Sequence, residues 1–76
     1  MITLRTLAKE TEVQGDVRIS IWDDMGEEEI EVHEFFYVSN LAVEINRLPN
    51  CKQLYQMKVH FIFASGDGFL HIELIS

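Results

Sequence analysis

The chain has 76 residues, 47% of them hydrophobic, and a net charge of −7 at pH 7. A chain of this length forms one small domain, and its hydrophobic content is too high for a disordered protein. Direct binding to nucleic acid or to an anionic membrane is not expected, because such binding requires clustered Lys and Arg and the six basic residues are scattered.

No apolar run approaches the roughly 20 residues of a membrane span, and the first residues lack the apolar core of a signal peptide. The expected location is therefore cytoplasmic, with no membrane partner. Cys51 is the only cysteine, which excludes an internal disulfide and a cysteine-rich zinc site.

The first predicted element is a short helix over residues 3 to 11, which Thr3 can cap. A strand follows, in which Val17, Ile19 and Ile21 alternate with residues of the opposite face. The turn at residues 23 to 26 leads to a second strand, from Glu29 to about Tyr37. Its predicted inner face comprises Ile30, Val32 and Phe36, and its predicted outer face comprises Glu31, His33 and Phe35.

The segment Phe35-Phe36-Tyr37 interrupts the alternation, which predicts a bulge or the end of the strand there. A second helix is then expected, with Ser39 as its N-cap and a termination at Pro49-Asn50. Its apolar stripe consists of Leu41, Ile45 and Leu48.

Residues 55 to 75 predict a hairpin that supplies much of the core. Its inner face comprises Tyr55, Met57, Val59, Phe61, Phe63, Leu70, Ile72 and Leu74. Two registers are open: a tight turn at Asp67-Gly68 pairs Phe63 with Ile72, whereas a four-residue loop pairs Phe63 with Leu70. A three-residue loop would pair Phe63 with His71 and put the faces out of phase, so we exclude it.

The element order α-β-β-α-β-β predicts a single α+β domain over residues 1–76. We expect a two-layer, four-stranded, mostly antiparallel sheet with both short helices on one face. The strand order is open. If the second and third strands are neighbours, the second helix makes a right-handed crossover between parallel strands.

The sheet face away from the helices is unusually apolar for a solvated surface, which favours a protein-interaction or dimerisation face. The alternative is that its apolar residues are scattered, or are covered by the N-terminal segment or a loop. The residues predicted to form this interaction face are Trp22, Phe35, Ile62, Phe69, His71 and Ile75.

Seven acidic residues cluster around the first hairpin turn. They form either a solvated hairpin tip or an acidic docking surface for a basic partner, including imitation of the DNA phosphate backbone. The segment lacks the ligand spacing of a calcium loop. These residues are Asp23, Asp24, Glu27, Glu28, Glu29, Glu31 and Glu34.

No catalytic residue, cofactor or metal site is predicted. Ser65-Gly66-Asp67-Gly68 lacks the Lys and the following helix of a phosphate-binding loop, and no nucleophile-elbow motif is present. His33, His60 and His71 share the predicted outer parity with Glu73, but no metal-ligand spacing such as HxH or HExxH links them. We interpret them as exposed histidines on a polar face.

Four features resemble the small acidic proteins encoded by phages and mobile elements of low-GC Gram-positive bacteria. They are the Thr3-Leu4-Arg5-Thr6-Leu7 opening, the Val17-to-Asp23 strand, the short Leu-rich helix and the closing strand Phe69 to Leu74. The resemblance spans most of the chain. It implies a phage or mobile-element context and assigns a role to no residue, because most such proteins have no assigned activity.

These observations favour a small non-enzymatic interaction protein. Its partner is expected to be another protein or a second copy of itself, bound through the outer sheet face. The alternative is an acidic inhibitor that imitates nucleic acid and binds a DNA-handling protein.

Overall fold

The computed structural model describes all 76 residues and has an α+β architecture with a four-stranded sheet and three helices. In chain order the elements are α1 (Leu4–Glu10), β1 (Gly15–Trp22), β2 (Glu29–Val38), α2 (Leu41–Asn46), α3 (Cys51–Gln56), β3 (Lys58–Ala64) and β4 (Leu70–Ile75). None of the three helices is both long and apolar enough to cross a membrane.

The sheet is mixed, with the strand order β2-β1-β4-β3. Both hairpins are antiparallel, but they join through β1 and β4, which run parallel. The prediction of a mostly antiparallel sheet was therefore wrong at the centre. The two most buried strands, β1 and β4, occupy the central positions. This leaves β2 and β3 at opposite edges and makes the β2–β3 connection cross the whole sheet.

The helical segments differ from prediction in number and bounds. Thr3 caps α1 as expected, since its Oγ1 accepts a hydrogen bond from the Thr6 N–H at 3.3 Å. In α2 the N-cap is Asn40 rather than Ser39, because the Asn40 side chain accepts from the Ala42 N–H at 3.0 Å. Helix α3 was not predicted, and it includes Tyr55, which had been assigned to the following strand.

One hydrophobic core joins all three helices to a single face of the sheet, which we call the inner face. This face is the side of Val17, Ile19 and Ile21, whose side chains are at most 3% exposed. The opposite side is called the outer face. The remaining buried apolar residues of the core are Leu4, Leu7, Ala8, Val13, Val38, Leu41, Ile45, Leu54, Tyr55, Val59, Ile72 and Leu74.

The faces of β2 are the reverse of those predicted. Phe35 lies opposite Val17, and His33 lies opposite Ile19, so these residues belong to the inner face. Glu31 lies opposite Ile21 and therefore also belongs to the inner face. Val32, opposite Ser20, therefore faces outward, and so does Phe36, whose ring meets that of Phe69. Ile30 is the extra residue of a bulge between the Ile21–Glu31 and Trp22–Glu29 pairs, and it lies with Glu29 opposite Trp22 of the outer face. All three apolar residues had been expected inside.

The predicted irregularity in β2 is confirmed as a bulge. Gly15 pairs with Val38 and Val17 pairs with Phe35, so β2 carries one residue more than β1 between these pairs. Tyr37 adopts a positive φ of 55° at this point. Its N–H donates to Asp16 Oδ1 at 2.9 Å, which fixes the bulge to β1.

A third bulge, at His60, reverses the faces of β3 along its length. Val59 pairs with Leu74 on the inner face, whereas Phe61 pairs with Glu73 on the outer face. Beyond the bulge Phe63 pairs with His71, which is the pairing that the sequence had led us to exclude. Because the bulge inserts one residue, Phe63 can pair with His71 while Val59 keeps the pairing with Leu74 that a four-residue loop would give.

The N-terminal segment lies along the free edge of β3, and Met1 lines an open cavity with Lys58 and Ile75 at one corner of the outer face. The Val59 N–H donates to the Ile2 carbonyl at 2.8 Å, and the Leu4 N–H donates to the Met57 carbonyl at 2.9 Å. A single bridge between Thr3 and Lys58 joins the two segments. Helix α1 then packs into the core, so the chain passes from this edge to the inner side.

Candidate interaction face

The outer face has a polar centre and an apolar surround. On the central strands, Arg18 pairs with His71 and Ser20 pairs with Glu73, which gives four polar residues at the corners of a rectangle. Around this central quartet lie apolar and aromatic side chains from all four strands and from the loop before β4. The apolar surround consists of Trp22, Ile30, Val32, Phe36, Phe61, Phe63, Phe69 and Ile75.

Four large side chains of the surround are strongly solvent-exposed. Ile30 is 58% exposed and Phe36 59% at the β2 edge, while Phe61 is 55% exposed and Phe63 42% at the β3 edge. Isolated exposed apolar residues are normal, but a group on one sheet face usually marks a binding surface. The exposed apolar surface therefore flanks the polar centre on both sides.

Aromatic rings connect the two edges across one end of the outer face. The Phe36 and Phe69 rings meet edge to face, with centroids 5.5 Å apart. The Phe63 and His71 rings stack in parallel, with centroids 4.8 Å apart. Such pairs restrict the side-chain conformers at this end of the outer face.

The charges of the central quartet are unequally satisfied. Arg18 forms ion pairs with Glu34 at 2.9 Å and with Glu29 at 3.6 Å. Glu73 forms none, although it is only partly exposed. Ser20 is 2% exposed, so its small side chain lies in a depression between its larger neighbours.

Trp22 lies at the other end of the outer face, beside the β1–β2 turn. Its Nε1 is buried and has no hydrogen-bond partner within the chain. The side chain lines an open groove together with Met25 of the turn, which is 73% exposed. The remaining residues of this groove are Asp24, Gly26, His60, Phe61, Glu73 and Ile75.

Four of the six predicted interaction residues lie on the outer face: Trp22, Phe69, His71 and Ile75. The other two do not. Phe35 packs against the core from the inner face, and Ile62 lies opposite Ile72 with inner parity. The outer-face residues missed were Ile30, Val32, Phe36, Phe61 and Phe63. Their only sequence signal was the interrupted alternation around Phe36.

The predicted acidic residues do not form one surface. Glu31 points to the inner face, where it is hydrogen-bonded to His33 and accepts from Asn50 Nδ2 at 3.1 Å. The hydrogen bond from His33, followed by that from Asn50, lowers the pKa of Glu31. Glu29 and Glu34 point outward to Arg18, while the other four acidic residues lie in the β1–β2 turn: Asp23, Asp24, Glu27 and Glu28.

Ser65, Asp67 and His71 meet at the tip of the β3–β4 hairpin, but their geometry differs from that of a nucleophilic triad. The Ser65 hydroxyl donates to Asp67 Oδ1 at 2.6 Å. His71 Nε2, which also contacts Ser65, lies 2.9 Å from Asp67 Oδ2. A triad requires the carboxylate on one ring nitrogen and the hydroxyl on the other. Here both use Nε2, so the cluster serves to fix the loop.

The hydrogen bond from Ser65, with that from the Phe69 N–H, lowers the pKa of Asp67 to about 2.

The three histidines are dispersed: His33 faces inward on β2, His60 lies at the β3 bulge, and His71 lies on β4. No group of three or more His, Cys, Asp or Glu side chains is arranged to hold a metal ion.

Comparisons with protein-family models, with curated proteins and with solved structures find no match.

Proposed function

We propose that this chain is a small, non-enzymatic interaction protein that self-associates through its outer face. The orientation of β2 is the observation that supports this most strongly. Its more apolar parity, with Ile30 and Phe36, faces away from the core, while Glu31 and His33 occupy the inner side. An antiparallel strand beside a solvated face usually turns its apolar residues toward the core, so this reversal favours an outer face that is covered by a partner. The sequence resemblance supports a phage or mobile-element origin.

The exposed apolar surface supplies a driving force for association. Ile30, Phe36, Phe61 and Phe63 are each 42–59% exposed in the isolated chain. At about 25 cal/mol per Å² of apolar area, covering each of them contributes on the order of 1 kcal/mol. Part of that gain offsets the entropy lost on association, so the expected dimer is weak.

The distribution of charge favours a second copy over a basic partner. The outer strand positions carry two cations, Arg18 and Lys58, against three carboxylates, Glu29, Glu34 and Glu73, for a net charge of −1 out of the total of −7. Most of the negative charge therefore lies elsewhere. Two copies can approach through their outer faces with little mutual repulsion, whereas a basic partner would gain little there.

The size of the outer face sets the expected affinity. Four strands about 4.8 Å apart, with about six residues each, span roughly 400 Å² in plan. Two such faces together cover roughly 800 Å² in plan, which is below the roughly 1,200 Å² of stable specific interfaces and typical of weak, transient ones. We therefore expect a dissociation constant in the micromolar range or weaker. In the dimer the two sheets stack roughly 10 Å apart, with the helices outside.

Sedimentation velocity tests the proposal. The wild type, of 8.9 kDa, is expected to show a concentration-dependent shift toward twice this mass. Phe61→Ser and Phe63→Ser, both on the outer face, should remain monomeric. Val43→Ser is the matched control, because Val43 is 47% exposed but lies on α2. A wild type that stays monomeric up to about 1 mM would contradict the proposal.

A further inference from the structure

We infer that the second copy docks face to face about a twofold axis that lies between the two sheets, parallel to them and over the centre of the outer face. The axis runs perpendicular to the line from Arg18 to Glu73, so that Arg18 of each copy pairs with Glu73 of the other. This inference rests on the proposed self-association and specifies its register. Arg18 and Glu73 occupy opposite corners of the central quartet, because Arg18 is adjacent to His71 while Glu73 is adjacent to Ser20.

Glu73 is the group that a partner must satisfy. It lies on a central strand between Phe61 and Ser20, within the apolar surround, and it has no ion-pair partner in its own chain. Covering this carboxylate with an apolar surface would remove its water without replacing the hydrogen bonds. The partner surface therefore has to bring a cation or hydrogen-bond donors to this position.

Arg18 is the outer-face cation that can do so. Its planar guanidinium carries more N–H donors than Glu34 and Glu29 occupy, so it can bind a third carboxylate without losing the first two. Lys58 is the other cation on the outer face, but it lies at the end of an edge strand. A match between Lys58 and Glu73 would offset the two faces and leave much of the apolar surround uncovered.

The diagonal arrangement makes the interface self-complementary. A twofold axis makes every contact between two different residues occur twice. The midpoint between Arg18 and Glu73 coincides with the centre of the quartet, so one axis there forms both ion pairs and superposes the two apolar surrounds. An axis that superposed Glu73 on itself would bring two carboxylates together.

Charge reversal tests this register. In Arg18→Glu, both contacts become carboxylate against carboxylate. In Glu73→Arg, both become guanidinium against guanidinium. Each variant alone should dimerise at least about tenfold more weakly than the wild type, as expected for like charges in an interface. An equimolar mixture should recover near wild-type association, because the heterodimer contains both opposite-charge pairs.

Two control variants separate the effect of the Arg18–Glu73 pairing from the effect of a change in net charge. Lys52→Glu changes the net charge as Arg18→Glu does, and Glu12→Arg changes it as Glu73→Arg does, but both positions are exposed and lie outside the four strands. Neither control should weaken association by more than about twofold, the effect of diffuse charge at physiological salt. Circular dichroism confirms that each variant is folded.

Because Arg18→Glu adds a carboxylate beside Glu29 and Glu34, Arg18→Gln replaces it if that variant unfolds. Mixing Arg18→Gln with Glu73→Arg retains one of the two pairs and should recover part of the association.

The outcomes are distinguishable. If the wild type does not self-associate, the proposed function fails and this inference fails with it. If both reversals weaken the dimer but the mixture shows no recovery, the axis is placed wrongly although the outer face remains the interface. Reversals that associate like the wild type overturn the Arg18–Glu73 pairing while leaving the proposed function intact.

Discussion

Phe63 lies directly opposite His71 across the β3–β4 hairpin, and the two rings stack with their planes 4° from parallel. This relationship exists because the bulge at His60 adds one residue to β3, which turns Phe61 and Phe63 from the inner to the outer face. The same strand thus contributes Val59 to the core and two phenylalanines to the proposed interface.

Truncations within the β3–β4 hairpin should have very different effects on stability. Ile72→Ala is expected to cost about 2–5 kcal/mol of unfolding free energy, because Ile72 is fully buried. Phe61→Ala should cost less than about 1 kcal/mol, since more than half of that side chain is exposed. Urea denaturation, at a protein concentration below the dissociation constant of the dimer, measures the unfolding free energy of both variants. Equal costs would contradict the bulge.

Adjacent phenylalanines in β2 should also behave differently. Phe35 packs against the core, whereas Phe36 is 59% exposed on the outer face. We expect Phe35→Ala to destabilise the monomer by about 2–4 kcal/mol and Phe36→Ala by less than about 1 kcal/mol. Phe36→Ala should instead weaken self-association. The opposite ranking in thermal unfolding would restore the sequence-based assignment of the β2 faces.

Asp67 should make the stability of the chain depend on pH at the acidic end. Its hydrogen bonds to Ser65 and Phe69 lower its pKa from 3.8 to about 2. A carboxyl group with a lowered pKa in the folded state stabilises above its unfolded pKa, and this stabilisation is lost as the pH falls through the folded value.

Asp67→Asn keeps the shape of the side chain but removes its charge. The wild type should therefore melt at a higher temperature than Asp67→Asn near pH 6, and the difference should disappear as the pH falls from about 4 toward 2. Thermal unfolding at a series of pH values measures this. A constant difference across that range would indicate that the charge of Asp67 has no role.

Glu31 should respond to its partners on the inner face. The hydrogen bond with His33, followed by that from Asn50, lowers its pKa below the ordinary value of 4.5. Replacing either partner, as in His33→Ala or Asn50→Ala, should raise the pKa of Glu31 toward 4.5, with the larger change for His33→Ala. Carbon-detected NMR titration of the carboxyl group measures this. An unchanged pKa in both variants would contradict the inner-face orientation of Glu31.

The sequence predicted strands β1 and β4 because the inward-facing residues of each are consistently apolar. It predicted the capped helix α1 because its apolar residues fall on one side. Val17, Ile19 and Ile21 on β1 are all buried, and so are Ile72 and Leu74 on β4. Each central strand pairs with a neighbour on both edges, so an inserted residue would disrupt both pairings and the alternation stays regular. Their parallel pairing was not encoded locally, because it depends on which strands of the two hairpins meet.

The edge strand β3 could not be predicted in the same way. Its apparent alternation runs from Tyr55 to Phe63, but the first half of that pattern belongs to helix α3 and the linker. After Val59 the bulge reverses the faces. An edge strand tolerates such an insertion because one side has few strand hydrogen bonds to lose, and nothing in the local sequence specifies its position.

The candidate site was half predictable for a related reason. An excess of apolar residues on the strands predicted an interaction face, and the structure places Trp22, Phe69 and Ile75 on the outer face as expected. The rule that apolar residues face the core failed on β2, because Asn50 supplies a polar partner to Glu31 on the inner side. Apolar residues were thereby left for the outer face, where the sequence alone gave no reason to expect them.

The most direct test of the central claim is an NMR dilution series of the wild-type chain from about 1 mM to about 10 μM. Self-association through the outer face predicts concentration-dependent amide shifts in the outer-face residues of all four strands, with helices α1, α2 and α3 unaffected. No dependence on concentration, or shifts confined to the helices, would contradict it. The residues expected to shift most are Arg18, Ser20, Trp22, Val32, Phe61, Phe63, His71 and Glu73.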